Sequence, residues 1–102
     1  VELMDGVKDV NVYNKIFEAV EKVPGASNPH RVRSRMIGNR YIITLDIEVN
    51  PHITITQAHE IAGAVEKSIE DSIDNVYDIL VHVEPAGECQ TDEKFGVNKG
   101  MV

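Results

Sequence analysis

The chain has little with which to build covalent or catalytic chemistry. A single cysteine, Cys89, excludes an internal disulfide and a C-x-x-C pair, and it suits a reducing compartment. No apolar run approaches the roughly 20 residues needed to cross a bilayer, so the sequence predicts no membrane span within its 102 residues. The first residue is Val1 rather than Met, and Glu2 and Asp5 stand where a signal peptide needs a basic and then an apolar segment. Basic residues are scarce: 10 Lys and Arg against 17 Asp and Glu leave a net charge of -7, which argues against a nucleic-acid partner and makes cations the natural guests. Motifs of catalysis are missing as well. There is no nucleophile elbow and no phosphate-cradling glycine loop, and the H-E-x-x-H suggested by His59-Glu60 fails because Gly63 occupies the second histidine's place. A small acyl-phosphate hydrolase would need that glycine loop, and a hydrolase using His82 and Glu84 as base and orienter would need a pocket beside them. The expectation is a protein that is not an enzyme.

What is present is enough for one small domain, with 42% apolar residues to form a modest core. Asn11 caps a predicted helix whose apolar positions, Val12, Ile16, Phe17, Val20 and Val23, recur at three and four residues until Pro24-Gly25. Alternation over 30–37, a turn at Gly38-Asn39 and alternation over 40–49 predict a hairpin, with Tyr41, Ile43, Leu45, Ile47 and Val49 on one face. Beyond Pro51, Thr54 and Gln57 form a capping-box pattern ahead of a second helix with the apolar stripe Ala58, Ile61, Ala62, Val65, Ile69, Ile73. After Asp74-Asn75 a third strand follows over 76–84, with Ile79, Val81 and Val83 inward and Asp78, Leu80, His82 and Glu84 outward. The order α-β-β-α-β predicts a two-layer α+β sandwich with both helices on one face of the sheet. The other face, carrying Ile42 and Leu80 among polar groups, is left for a partner subunit. Residues 1–10 read as a link, 11–85 as the domain and 86–102 as a flexible tail.

The chemistry gathers on that outward face. His82 and Glu84, two apart on a strand, project an imidazole and a carboxylate from the same side, and Asp46 and Glu48 point away from the apolar set of their own strand. All are metal-ligand types. His59 lies one residue off the helical stripe, where a packed imidazole and a ligand are equal readings; His30 and His52, isolated in sequence, read from the residues alone as surface histidines. Arg31, Arg33 and Arg35 alternate with Val32 and Ser34 as the solvated side of one strand, and Cys89 reads as an inert thiol.

Taken in order, Val23-Pro24-Gly25, Arg33-Ser34-Arg35 with Gly38, Gln57-Ala58-His59 and Val81-His82-Val83-Glu84-Pro85 resemble the C-terminal domains of cation diffusion facilitators, over a span from Leu3 to Pro85. Leu3-Met4-Asp5 resembles the short link those exporters place after their last membrane helix. The resemblance implies a ferredoxin-like, metallochaperone-type fold that forms a V-shaped homodimer under its own transmembrane domain. It also implies a place at the cytoplasmic face of a membrane, an inner or magnetosome membrane among the choices. It implies a metal-ligand set of His30, Asp46, His59, His82 and Glu84. Zinc is the ion implied first; carboxylates at positions 46 and 84, where relatives have histidine and aspartate, shift the preference toward iron(II) or manganese(II). The function implied is a regulatory and dimerisation domain of a divalent-metal/proton antiporter. A free-standing metallochaperone-like sensor of the same architecture is the alternative, and a reading frame extending upstream through several apolar segments would separate the two.

Overall fold

The computed structural model describes residues 10–87. Five elements follow one another: α1 (Val10–Glu21), β1 (Ser27–Ile37), β2 (Arg40–Val49), α2 (Ile55–Ser72) and β3 (Val76–Pro85). The sheet order is β1-β2-β3, with β2 antiparallel to β1 and parallel to β3. Residues 1–9 and 88–102, which include most of the predicted link and tail together with Cys89, lie outside the described residues. Ala86, assigned to the tail by sequence, is tied into the fold by donating its amide to the Val49 carbonyl at 2.8 Å.

Helix α1 buries Tyr13, Ile16, Phe17, Ala19 and Val20, a stripe at three- and four-residue spacing. It closes with a tight turn in which the Ala26 amide reaches the Val23 carbonyl at 3.3 Å. Gly25 takes φ +92 in that turn, and a Cβ there would stand 2.9 Å from the Ile61 side chain, so the position needs glycine twice over. Helix α2 starts on the predicted capping box: the Gln57 amide donates to Thr54 Oγ1 at 3.0 Å, and the Thr54 amide donates to Gln57 Oε1 at 2.9 Å. Ser68 Oγ donates to the Ala19 carbonyl at 2.8 Å, joining the helices.

Both helices cover one face of the sheet. Ile43, Leu45, Ile47 and Val49 of β2 meet Ile16, Phe17 and Val20 of α1 and Val65 and Ile69 of α2, with Val32 and Ile79 at the sides. Burying each such aliphatic chain contributes about 1.5–3 kcal/mol. Val81 and Val83 are inward but only partly buried, because β3 is the sheet's edge. On the other face, Leu80 is 65% exposed and no described element covers it.

The alternation predicted for β1 is interrupted. Two residues of β1 oppose one of β2 between the pairs Ser27↔Glu48 and His30↔Asp46, and again between His30↔Asp46 and Arg33↔Thr44. Asn28 (φ 48) and Arg31 (φ 51) take the left-handed conformation within these bulges. Each extra residue reverses the side that follows. His30 therefore leaves the face of Val32, where strict alternation would put it, and stands beside Asp46 on the uncovered side.

Candidate metal centre

The register lines up two rows of donors across the sheet: His30, Asp46 and His82 in one, Ser27, Glu48 and Glu84 in the next. Parallel pairing of β2 with β3 makes this possible, since it sets Asp46 against His82 and Glu48 against Glu84 in step.

His30 is the best-anchored donor. Its Nδ1 lies 2.7 Å from the Asn28 carbonyl oxygen, which can only accept, so the ring hydrogen sits on Nδ1. Nε2 then faces Glu84 Oε1 at 3.1 Å. Two acceptors meet there unless a second proton or a metal ion lies between them, and a ligating histidine is commonly oriented by such a carbonyl behind it. The residue-level reading of His30 as a surface histidine is corrected: it is 5% exposed, because the bulge turns it inward against Asn28 and Glu84.

Glu84 turns its other oxygen, Oε2, toward His82 Nδ1 at 3.6 Å, and His82 Nδ1 is also 3.6 Å from Asp46 Oδ1. Two groups result, His30–Glu48–Glu84 and Asp46–His82–Glu84, each with donor atoms within 4.8 Å of one another and with Glu84 shared. Asp46 is 7% exposed, and its Oδ2 is buried without a hydrogen bond. A carboxylate oxygen left so is costly unless a cation completes it. Metal–donor bonds of about 2.1 Å place neighbouring donors roughly 3.0–3.4 Å apart, and the 3.1 and 3.6 Å separations are near that edge. The residues present thus fit a divalent ion.

Of the five ligand positions implied by sequence, His30, Asp46, His82 and Glu84 converge; His59, exposed on α2, belongs to neither group. Alternation placed Glu48 on the open face, but the implied ligand set left it out. Its Oε2 accepts from Asn28 Nδ2 at 2.8 Å. Asn28 itself carried no signal beyond asparagine's tolerance of the left-handed region. Arg31, read as a solvated strand residue with Arg33 and Arg35, instead sets its Nε 3.6 Å from Asp46 Oδ2, because the bulge separates it from the other two.

A family model described as "Cation efflux protein, cytoplasmic domain" matches residues 8–86. The chain belongs to this family. Among cation efflux relatives, the magnetosome protein MamM of Magnetospirillum gryphiswaldense is 35% identical over 82 residues, covering 80% of this chain and 26% of its own length. The manganese efflux system protein MneS of Bacillus subtilis is 31% identical over 87 residues, covering 81% and 28%. The chain spans a fifth to just over a quarter of the curated relatives it matches, from 21% to 28%. The metal-bound C-terminal domain of the CzcD transporter from Thermotoga maritima superposes with a TM-score of 0.76 at 36% identity, covering 81% of this chain and 96% of that one. A cadmium form of the MamM C-terminal domain gives 0.70 at 35%, covering 74% and 94%. The ferredoxin-like α+β fold of these cation efflux domains is the fold described above. No helix among the described residues is long and apolar enough to cross a membrane.

Proposed function

We propose that the chain is the regulatory and dimerisation domain of a divalent-metal/proton antiporter, and that it binds divalent cations on its open sheet face and couples binding to closure of a homodimer. One observation carries this: imidazoles of two residues and carboxylates of three, drawn from all three strands, form two donor groups that share Glu84, and one of them includes Asp46, whose buried Oδ2 makes no hydrogen bond. Metal-bound relatives and a manganese-exporting one support the same reading. In this account the domain works at the cytoplasmic face of a membrane, an inner or magnetosome membrane, attached to its own transmembrane portion. The role is binding and not catalysis: the donor groups sit on a sheet face that no described element covers, suited to meeting another surface rather than enclosing a substrate.

With carboxylates outnumbering imidazoles, the donor set favours manganese(II) or iron(II) more than an all-histidine site would, with zinc still well served. Acidic groups facing each other across a two-fold axis repel, and that repulsion falls when their charge is neutralised. Closure follows only from affinity that differs between open and closed dimers, and a tenfold bias needs about 1.4 kcal/mol of difference.

Calorimetric titration of the chain with manganese(II), iron(II) and zinc tests the site, and an inter-subunit distance measurement by spin labelling tests closure. Binding near ~1 μM, equivalent to about 8 kcal/mol, with the distance shortening as metal is added is the expected result. Flat traces for every first-row divalent ion would remove the sensing role.

A further inference from the structure

Three arginines leave β1, and only one of them goes to the donors. Arg33 and Arg35 line a separate cleft of about 170 Å³ with Ile42 and Thr44. Arg31, left-handed at φ 51 in the second bulge, sets its Nε 3.6 Å from Asp46 Oδ2. That is the oxygen with no hydrogen bond, and it also lies 3.9 Å from His30 Nε2. The Asp46 side chain is 10% exposed, with Oδ2 buried, while that of Arg31 is 36% exposed, so the guanidinium has a much wider path to water than the carboxylate.

We propose that Arg31 is a built-in cation that occupies the Asp46 carboxylate in the metal-free domain and must withdraw for a divalent ion to be held by Asp46, His82 and Glu84. The inference rests on the metal-site reading above and adds to it how the threshold of that site is set. A guanidinium keeps its charge at every physiological pH, so Arg31 stabilises a desolvated carboxylate continuously and does not yield it by deprotonation. Leaving Asp46 uncompensated would be costly, and seating a second cation beside Arg31 costs repulsion. The residue therefore makes the metal-free state tolerable and weakens metal binding together. Only an ion abundant enough to displace the side chain is then sensed.

Titrating manganese(II) and zinc separately into the full 102-residue chain, its Arg31→Gln variant and its Arg33→Gln variant tests this. Arg33→Gln removes the same charge from the same strand without touching Asp46. Arg31→Gln is expected to bind about tenfold more tightly, which corresponds to about 1.4 kcal/mol, and Arg33→Gln to stay within about twofold of the parent. In the parent, the Arg31 Nε–H resonance should shift toward that of a solvated guanidinium as zinc, which is diamagnetic, is added. Arg31→Gly, which removes the charge and accepts φ 51 without strain, repeats the test if the glutamine variant misfolds. Equal or weaker binding without Arg31, an equal gain in Arg33→Gln, or an unmoved Nε–H resonance would each overturn the proposal. If the parent binds neither ion, the metal reading fails; binding that emerges on removing Arg31 would still support the displacement, and continued silence would overturn both.

Discussion

Asn28 and Glu48 are joined across the first bulge by a 2.8 Å hydrogen bond from Nδ2 to Oε2, and the carbonyl of the same asparagine receives the His30 Nδ1 hydrogen at 2.7 Å. One residue thus fixes the tautomer of one donor and the orientation of another. Its φ of 48 makes both contacts possible, and that conformation is affordable for asparagine where most side chains would strain.

Asn28→Ala should lower affinity for manganese(II) by roughly tenfold, within the 10–100-fold range usual for groups that orient ligands. The alanine keeps the backbone carbonyl, so part of the His30 anchor survives and the loss should fall short of deleting a ligand. Calorimetry with unchanged far-ultraviolet circular dichroism would show this; unaltered affinity would remove Asn28 from the site.

Asp46→Ala combined with His82→Ala should abolish measurable binding while the domain still folds. Both side chains stand on the uncovered face, opposite Ile43, Leu45 and Ile47, so the helical layer loses no contact. Asp46 is nevertheless buried, and removing a carboxylate oxygen that lacks a hydrogen bond should leave thermal stability unchanged or slightly raised. A collapse of the melting transition would mean that the Arg31–Asp46 contact is needed to fold.

The layered architecture is legible from pattern alone because the pattern is local. Strict alternation in 40–49 identifies the central strand, and Thr54 with Gln57 marks where α2 begins. Tyr13 escapes a stripe drawn through Val12, yet it is 2% exposed, its neighbours Ile16 and Phe17 lying one turn on. The donor cluster is legible except for His30. Asp46, Glu48, His82 and Glu84 follow from period two, but His30 reaches them through two extra residues in β1. Neither left-handed position is a glycine, so no residue type announces the bulges, and only pairing against β2 reveals them.

The core should be most sensitive at the centre of β2. Ile47→Ala is expected to cost about 2–5 kcal/mol, because Ile47 is fully buried on the sheet face under the helices and its loss leaves a cavity. Thr54→Ala should cost about 1 kcal/mol through loss of the capping box. Urea unfolding of the metal-free chain checks both, and similar losses for the two would mean that the helical layer packs more loosely than its burial indicates.

His59 makes the sharpest test of the proposed homodimer. It is exposed on α2, the layer opposite the donors, and joins neither donor group within one chain. If it is a ligand, it must serve the cluster of a second copy in the proposed homodimer. His59→Ala should then weaken binding although the intrachain cluster is intact. Mixing that variant with the Asp46→Ala, His82→Ala chain should restore one full site per mixed dimer, because one chain supplies the cluster and the other supplies the histidine. Ligation within a chain restores none, since each partner would lack part of its own site. Calorimetry on the mixture therefore separates the two arrangements by stoichiometry as well as by affinity: a mixture no better than the His59→Ala chain would exclude ligation across the dimer, and an unchanged affinity of His59→Ala itself would place His59 outside the metal centre.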